Sequence, residues 1–246
     1  MNDVKTNYAD NLFVVNNRKD CFNASLVDGA FFDGFYDIPT IEQEEIMIPK
    51  RLISYERIKN CCYETGDFVH FYIDDYKFDG KAGIWNTLKN GLENKRGFSL
   101  DRLKGATGII TPDYSLYLDM PRAMQIWNVY RNRSIGHYLS STGHYVIPNI
   151  RWTDENSYDY AFAGVKKGSI VAVGTHGCSK SRIDRYLFIK GFLEMIKRLE
   201  PKHIVIYGAI SKMFASILKL YNISYTHFES DVCTYYKEKK YGIKGQ

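Results

Sequence analysis

Short runs of apolar, β-branched or aromatic residues recur along the chain at 52–55, 68–73, 108–111, 145–150, 170–174, 204–207 and 225–228. Each has the length of a buried strand and is bounded by polar or turn-forming residues. A weaker run at 35–38 brings the count to about eight. Between the runs the period lengthens to that of a helix. Ile84, Leu88 and Leu92 fall on one face. Met124, Trp127 and Arg131 continue a helix opened by Pro121, whose missing N–H costs nothing in a first turn. Leu187, Phe188, Phe192, Ile196 and Leu199 form a wide apolar stripe that closes at Pro201. Met213, Phe214, Ile217 and Leu220 form another, with Ser211 placed as its N-cap.

Strand and helix patterns in alternation predict an α/β fold, a mainly parallel sheet covered by helices. The strand count favours a TIM-like or incomplete (β/α) barrel, with an open doubly wound sheet as the alternative. Residues 1–34 read as an irregular N-terminal arm with a short strand at 12–15, residues 35–236 as a single α/β domain, and residues 237–246 as a basic tail.

Composition narrows the classes. No apolar run approaches the ~20 residues of a membrane span, and the first ten residues are polar with no apolar signal core, so a cytoplasmic protein with no membrane partner is expected. The five cysteines are odd in number and form no paired C-x-x-C set; adjacent Cys61 and Cys62 read as buried thiols, and no metal site is expected. Of the net charge of +5, the last ten residues carry +3, so the rest of the chain holds only +2. Such a tail either holds phosphates or keeps a terminus solvated. The 20 tyrosines are the compositional anomaly. Their rings suit wet interfaces and stacked bases, although coding from an AT-rich genome enriches Tyr, Asn, Lys and Ile in the same way.

Parallel α/β folds bind ligands at the carboxyl ends of their strands, which makes the residues following each run the candidates for chemistry. Asp74 and Asp75 follow 68–73, and Asp113 follows 108–111. These three are the candidate catalytic carboxylates. Arg151 and Trp152 follow 145–150, and His176 follows 170–174, as candidate binding residues. Any one aspartate here is equally a turn former or cap; the set together points to a pocket. Residues 174–181 follow a strand and open a helix, the setting of a phosphate loop, but Ser179 stands where a Walker loop has its second glycine. Lys180 is then a candidate for a looser anion site, with a plain Ser-capped helix start as the alternative. Arg131 and Arg133 share a helix with Trp127 and Tyr130, a combination that grips phosphates and stacks bases. The alternative is a barrel-covering helix with Met124, Trp127 and Tyr130 inward and the arginines in water; Met124 and Trp127 are expected inward in this way, with Arg131 and Arg133 open to either reading.

The stretch Gly108-Ile-Ile-Thr-Pro-Asp-Tyr-Ser-Leu-Tyr-Leu-Asp-Met-Pro121, followed by Gln125-Ile-Trp-Asn-Val-Tyr-Arg-Asn-Arg133, resembles domain-of-unknown-function family 4417. Val146-Ile-Pro-Asn-Ile-Arg-Trp152, Gly168-Ser-Ile-Val-Ala-Val173 and Ile204-Val-Ile-Tyr-Gly208 continue the likeness in order, over roughly Phe35 to Gly208. The resemblance implies kinship with bacterial and phage proteins that have no established activity, hence a phage or mobile-element origin and a conceivable role against host defence. More distantly, Asp113 after a Thr-Pro turn is similar to the strand-end aspartates of transglycosylases that exchange bases in tRNA or DNA. This chain lacks their cysteine-rich zinc cluster and their Gly-Gly-Phe-Gln segment. The expected function is an enzyme-like scaffold acting on a nucleotide, base or glycosidic bond, with no cofactor singled out. The alternative is a non-enzymatic protein that binds nucleic acid or a host protein and inhibits a nucleic-acid-handling or defence system.

Overall fold

The computed structural model describes residues 20–43, 47–89, 100–176, 181–231, 233–234 and 239. The arm's strand at 12–15, Leu92, Cys178, Lys180 and most of the tail lie outside them. The weak run at 35–38 resolves into a small antiparallel ribbon of β1 (Phe32–Asp33) and β2 (Ile38–Pro39). The remaining strands are parallel: β3 (Arg51–Ser54), β4 (Asp67–His70), β5 (Gly108–Ile110), β6 (Tyr145–Ile147), β7 (Ile170–Gly174), β8 (His203–Tyr207) and β9 (Tyr225–Phe228). Between or beside them run the helices α1 (Ile84–Thr87), α2 (Arg122–Ser141), α3 (Tyr158–Ala161), α4 (Arg182–Leu199) and α5 (Lys212–Leu220). The α/β fold read from the sequence is the fold the chain adopts. Among the described residues no helix is long and apolar enough to cross a membrane.

Strands β3 to β6 form one sheet and β7 to β9 another, each in chain order, and a single parallel bridge, Asn149↔Ala172, joins them. The break has a local cause. Pro148 has no N–H to donate, so β6 stops at Ile147 and the contact with β7 is reduced to the bonds from Ala172 N to Pro148 O (2.9 Å) and from Ile150 N to Ala172 O (2.8 Å). Lower down, the Gln43 side chain spans the same gap, donating to Val146 O (2.8 Å) and Ile170 O (3.1 Å). Strand β4 likewise ends before the apolar run does, because Ile73 N turns back onto Phe71 O (2.8 Å).

The combined sheet is curled. Four strand steps separate β4 from β8, which in a flat sheet would hold them about 19 Å apart. Instead the His70 and Tyr207 rings lie 4.7 Å apart. Phe68, Ile110, Ile147, Ile170, Ala172 and Val205 form one buried interior cluster, with Leu52 and Phe228 packed against it. The inner face of every parallel strand thus meets the others. Gly108 makes room for this: a Cβ there would sit 2.3 Å from the Phe68 ring. Edge strands β3 and β9 are not paired with each other among the described residues, so the sheet is an open one and the closed eight-stranded barrel is not formed.

Helix α2 departs from the sequence reading. Met124 and Trp127, expected inward, are 53% and 44% exposed, whereas Arg133 is 2% exposed. The inward face is mixed: Val129, Ile135 and Leu139 enter the apolar core, but Gln125, Asn128, Asn132, Arg133, Ser134 and His137 are buried beside them. The reason is position. The helix lies against strand ends and loops whose carbonyls have no ladder partner, and such groups require donors rather than methyl groups. Arg133 donates from Nε to Ala163 O (3.0 Å), from one terminal nitrogen to Asn149 O (3.1 Å), and from the other to Ala161 O (2.9 Å). Cys62 is also exposed and Cys61 half-buried, against the expected burial of both; they flank the solvent-facing end of the 3-10 turn Tyr55–Asn60.

Arg133→Met keeps the side chain's length and apolar stem but strands three buried carbonyls. The expected loss is about 3–5 kcal/mol, read as a fall in Tm on the order of 10 °C for a chain of this size. A variant that melts with the native protein would contradict the assignment of Arg133 as the tie between these segments.

Candidate functional site at the strand ends

Asp113 emerges from β5 through Thr111 and Pro112, and both residues are held from α2. Thr111 Oγ1 donates to Asn132 Oδ1 (3.0 Å), and Asn132 Nδ2 donates to Pro112 O (2.7 Å). The same hydroxyl accepts the N–H of Asn149 beyond β6 (2.8 Å). Two strand ends and a helix are therefore locked together just below the carboxylate. Asp113 then accepts one bond from Asn149 Nδ2 (2.7 Å) and one from the Arg151 guanidinium (2.6 Å). The pair is only partly exposed, at 28% for the arginine side chain and 13% for the aspartate. Each carboxylate oxygen accepts one bond from a neighbouring donor and keeps a lone pair for another.

Asn149 extends the network to β4. Its Oδ1 accepts the Tyr72 hydroxyl (2.9 Å), and the Tyr72 ring stacks on Tyr207 from β8 at 4.5 Å and 9°. Gly174 at the end of β7 lets this stack form, since a Cβ would lie 2.8 Å from the Tyr72 ring. Burial, reinforced by the Asp113 charge, pushes the Tyr72 phenol well above its ordinary range, and burial pushes Tyr207 up to about 12. Both phenols are neutral near pH 7. Tyr207 Oη accepts the N–H of Asp231 beyond β9 (3.0 Å). The result is a carboxylate, a guanidinium, an amide and a pair of stacked aromatic rings at one end of the curled sheet, contributed by β4, β5, β6 and β8. Such a set can recognise a polar heterocycle and steady positive charge on it.

The other sequence candidates are elsewhere or otherwise engaged. Asp75 accepts the Ser115 N–H (3.0 Å) and hydroxyl (2.9 Å), fixing the segment after Asp113 without joining it. Asp74 is 68% exposed and lies 3.8 Å from Lys77. Trp152 packs into the covering layer, its indole nitrogen bonded to Leu187 O (3.3 Å) and its ring stacked on Phe188. Arg131 pairs with Asp79 (2.6 Å) and lies over the Tyr114 ring (4.0 Å). Neither it nor the buried Arg133 is presented to solvent as a nucleic-acid contact. His176 follows β7 and is exposed; Lys180 is outside the described residues. The Ser-capped helix start holds: Ser181 and Asp184 form a capping box at α4, and Ser211 caps α5. Sequence reading passed over Tyr72, Asn132, Asn149 and Tyr207. The usable signal was Pro148, which ends β6 and so frees the next residue from the ladder.

A cavity of about 490 Å³ lies at the opposite end of the sheet, lined by Gln43, His137, His144, Tyr145 and Ile170 among others. It contains none of the strand-end residues above. Charged and polar groups converge at the strand-end network, whereas at the cavity wall Ser140 Oγ donates to Glu42 O (2.7 Å).

The family described as "Domain of unknown function (DUF4417)" matches residues 30–225, and the chain belongs to that family. The "Gene 1 protein" of Mycobacterium phage L5 is 34% identical over 177 residues, 71% of this chain and 72% of that protein. The "Gene 1 protein" of Mycobacterium phage D29 is 32% identical over 177 residues, 71% of this chain and 61% of that protein, so the aligned part spans under two thirds of the D29 protein's length. No solved structure matches the chain. Its kinship lies with phage proteins.

His70, beneath the tyrosine stack, gives the site a measurable acid sensitivity. Burial, with a smaller contribution from the Arg57 charge, lowers its pKa from 6.5 to about 3. The unfolded chain takes up this proton below pH 6.5 and the folded chain does not, so stability is full above that pH and falls as the pH drops towards 3. The slope from this one group approaches 1.4 kcal/mol per pH unit. Denaturant unfolding between pH 7 and 4 should show the decline, and His70→Gln should flatten it. An unchanged slope in the variant would show that His70 is not the buried neutral group.

Proposed function

We propose that the strand-end mouth is a binding site for a nucleotide or nucleobase, in which Asp113 acts at the base or its glycosidic bond. The supporting observation is the chain of contacts Arg151–Asp113–Asn149–Tyr72–Tyr207, which sets a fixed anion and a fixed cation beside stacked aromatic rings. An anionic Asp113 accepts hydrogen bonds from an exocyclic amine or ribose hydroxyl, and it stabilises the positive charge that develops on a sugar as a glycosidic bond breaks. Arg151 offers the complementary donor fork for a carbonyl or phosphate.

A second reading is favoured by a different surface. Tyr117, Leu118, Met124 and Trp127 are 56%, 54%, 53% and 44% exposed at the start of α2, an apolar group of the kind that meets a protein partner. In that reading the chain inhibits a host system by binding, and Asp113 is structural.

Asp113→Asn separates the two. The amide is isosteric, so Tm should fall by a few degrees at most. Titration with each of the four ribonucleoside 5′-monophosphates, followed by amide chemical shifts, should show saturable binding that weakens about tenfold or more, the worth of one charged hydrogen bond. Equal binding by native and variant protein, or binding by neither, would overturn the proposal.

A further inference from the structure

Ser54 and His70 are register partners on β3 and β4. Each stands two residues beyond an interior side chain, Leu52 and Phe68, so both point into the curled sheet. His70 is 0% and Ser54 3% exposed. Neither Ser54 Oγ nor His70 Nε2 has a hydrogen-bond partner among the described residues. The direction of the unmet need is known for the histidine. Tyr72 N–H donates to His70 Nδ1 (3.2 Å), so the neutral ring carries its proton on Nε2, and Nε2–H is a donor with nothing to bond. Buried polar groups left in this state are costly, at about 1–3 kcal/mol each, and persist where function supplies the partner.

The surroundings select that partner. The turn Tyr55–Asn60 carries Arg57, whose positive charge reaches His70 and disfavours a second cation there. Among the described residues Arg57 pairs with Asp231 beyond β9, at 3.6 Å, with the two side chains 70% and 36% exposed. An exposed pair of this kind separates at little cost. The pair links the turn after β3 to the segment after β9, the two edge strands that are not paired with each other among the described residues. Two hydrogen-bond donors under a positive potential fit an anionic oxygen.

We propose that His70, Ser54 and Arg57 form a phosphoryl-binding subsite at the open edge between β3 and β9. Resting on the nucleotide reading above, this places the phosphate at the seam and the base towards Asp113, with the tyrosine stack between them: His70 lies 4.7 Å from Tyr207, which stacks on Tyr72. Arg57 exchanges the Asp231 carboxylate for the phosphate, while Nε2–H of His70 and the Ser54 hydroxyl meet phosphate oxygens.

The test follows the His70 ring nitrogens by ¹⁵N NMR in the full chain during titration with inorganic phosphate, and separately with each ribonucleoside 5′-monophosphate. A saturable shift at His70 Nε2 with inorganic phosphate is expected, weakened tenfold or more in both Arg57→Gln and Ser54→Ala and unchanged in Asp113→Asn. Arg57 is exposed, so its variant keeps the fold and the result interpretable. No saturable shift, or a shift that Arg57→Gln and Ser54→Ala leave intact, would overturn the subsite and leave His70 and Ser54 to an ordered water. If phosphate binds as expected while Asp113→Asn leaves nucleotide affinity untouched, the subsite stands and the role given to Asp113 fails. If Asp113→Asn weakens nucleotide binding and His70 never responds to phosphate, the reverse holds.

Discussion

A guanidinium sealed away from water governs the geometry of this protein. Among the described residues Arg133 pairs with no carboxylate; its donors are spent on the carbonyls of Asn149, Ala161 and Ala163 and on Asn132 Oδ1. Burial lowers its pKa to about 9, opposed by the more distant Asp33 charge, so it remains a cation at neutral pH. A buried cation tolerates few arrangements, because every lost carbonyl exposes an uncompensated charge to a medium that cannot solvate it. The arrangement that satisfies it fixes where β6 gives way to β7 and where α3 lies. Gly164 completes the fit, with φ of +73° and no room for a Cβ beside Pro39 O at 2.3 Å. Its neighbour Asn132 extends the same constraint to Thr111 and Pro112. The site residues Asp113 and Arg151 are each two or fewer positions from a group held in this way.

Interior strands were legible because burial on both faces of a parallel sheet demands continuous apolar runs, as at 170–174, which matches β7 end for end; 225–228 matches β9 as closely although that edge strand is only partly buried. Helix starts were legible where the cap is chemical: Pro121, Ser181 and Ser211 all mark real boundaries. Helix α2 was misread because amphipathic analysis assumes that the inward face is the apolar one. Here the inward face carries Val129, Ile135 and Leu139 but also a part that meets loop carbonyls, and the polarity of that part is dictated by hydrogen bonding that no local pattern reveals. For the same reason Arg131 and Arg133 look like surface cations in sequence and are not. Asp113 and Arg151 are brought into contact from separate strand ends, as an argument from topology anticipates, whereas Asp74 and Asp75, equally well placed in sequence, are turned aside by the early end of β4. Tyr72, Asn149 and Tyr207 could not be singled out, since twenty tyrosines offer no contrast and an asparagine after a proline reads as a turn.

Openness and chemistry are connected. A sheet that curls far enough to bring β4 against β8, yet leaves β3 and β9 unpaired with each other among the described residues, keeps a filled apolar interior beneath a layer of polar interior groups. The filled interior comes from Phe68, Ile110, Ile147 and Val205; the polar layer above it holds Ser54, His70, Tyr72, Asn149 and Tyr207. The two layers differ in what they demand, and the upper one is complete only with the donors and acceptors of α2 beneath Asp113.

The dependence of that layer on α2 is tested most directly by amide hydrogen exchange in Asn132→Ala, which removes the bonds to Thr111 and Pro112 and one acceptor of Arg133, while leaving the apolar interior untouched. Faster exchange confined to 111–115 and 149–151, with protection in β8 and β9 unchanged, is the result this account predicts. Protection unchanged at Asn149 would contradict it, as would loss spread evenly over the whole sheet.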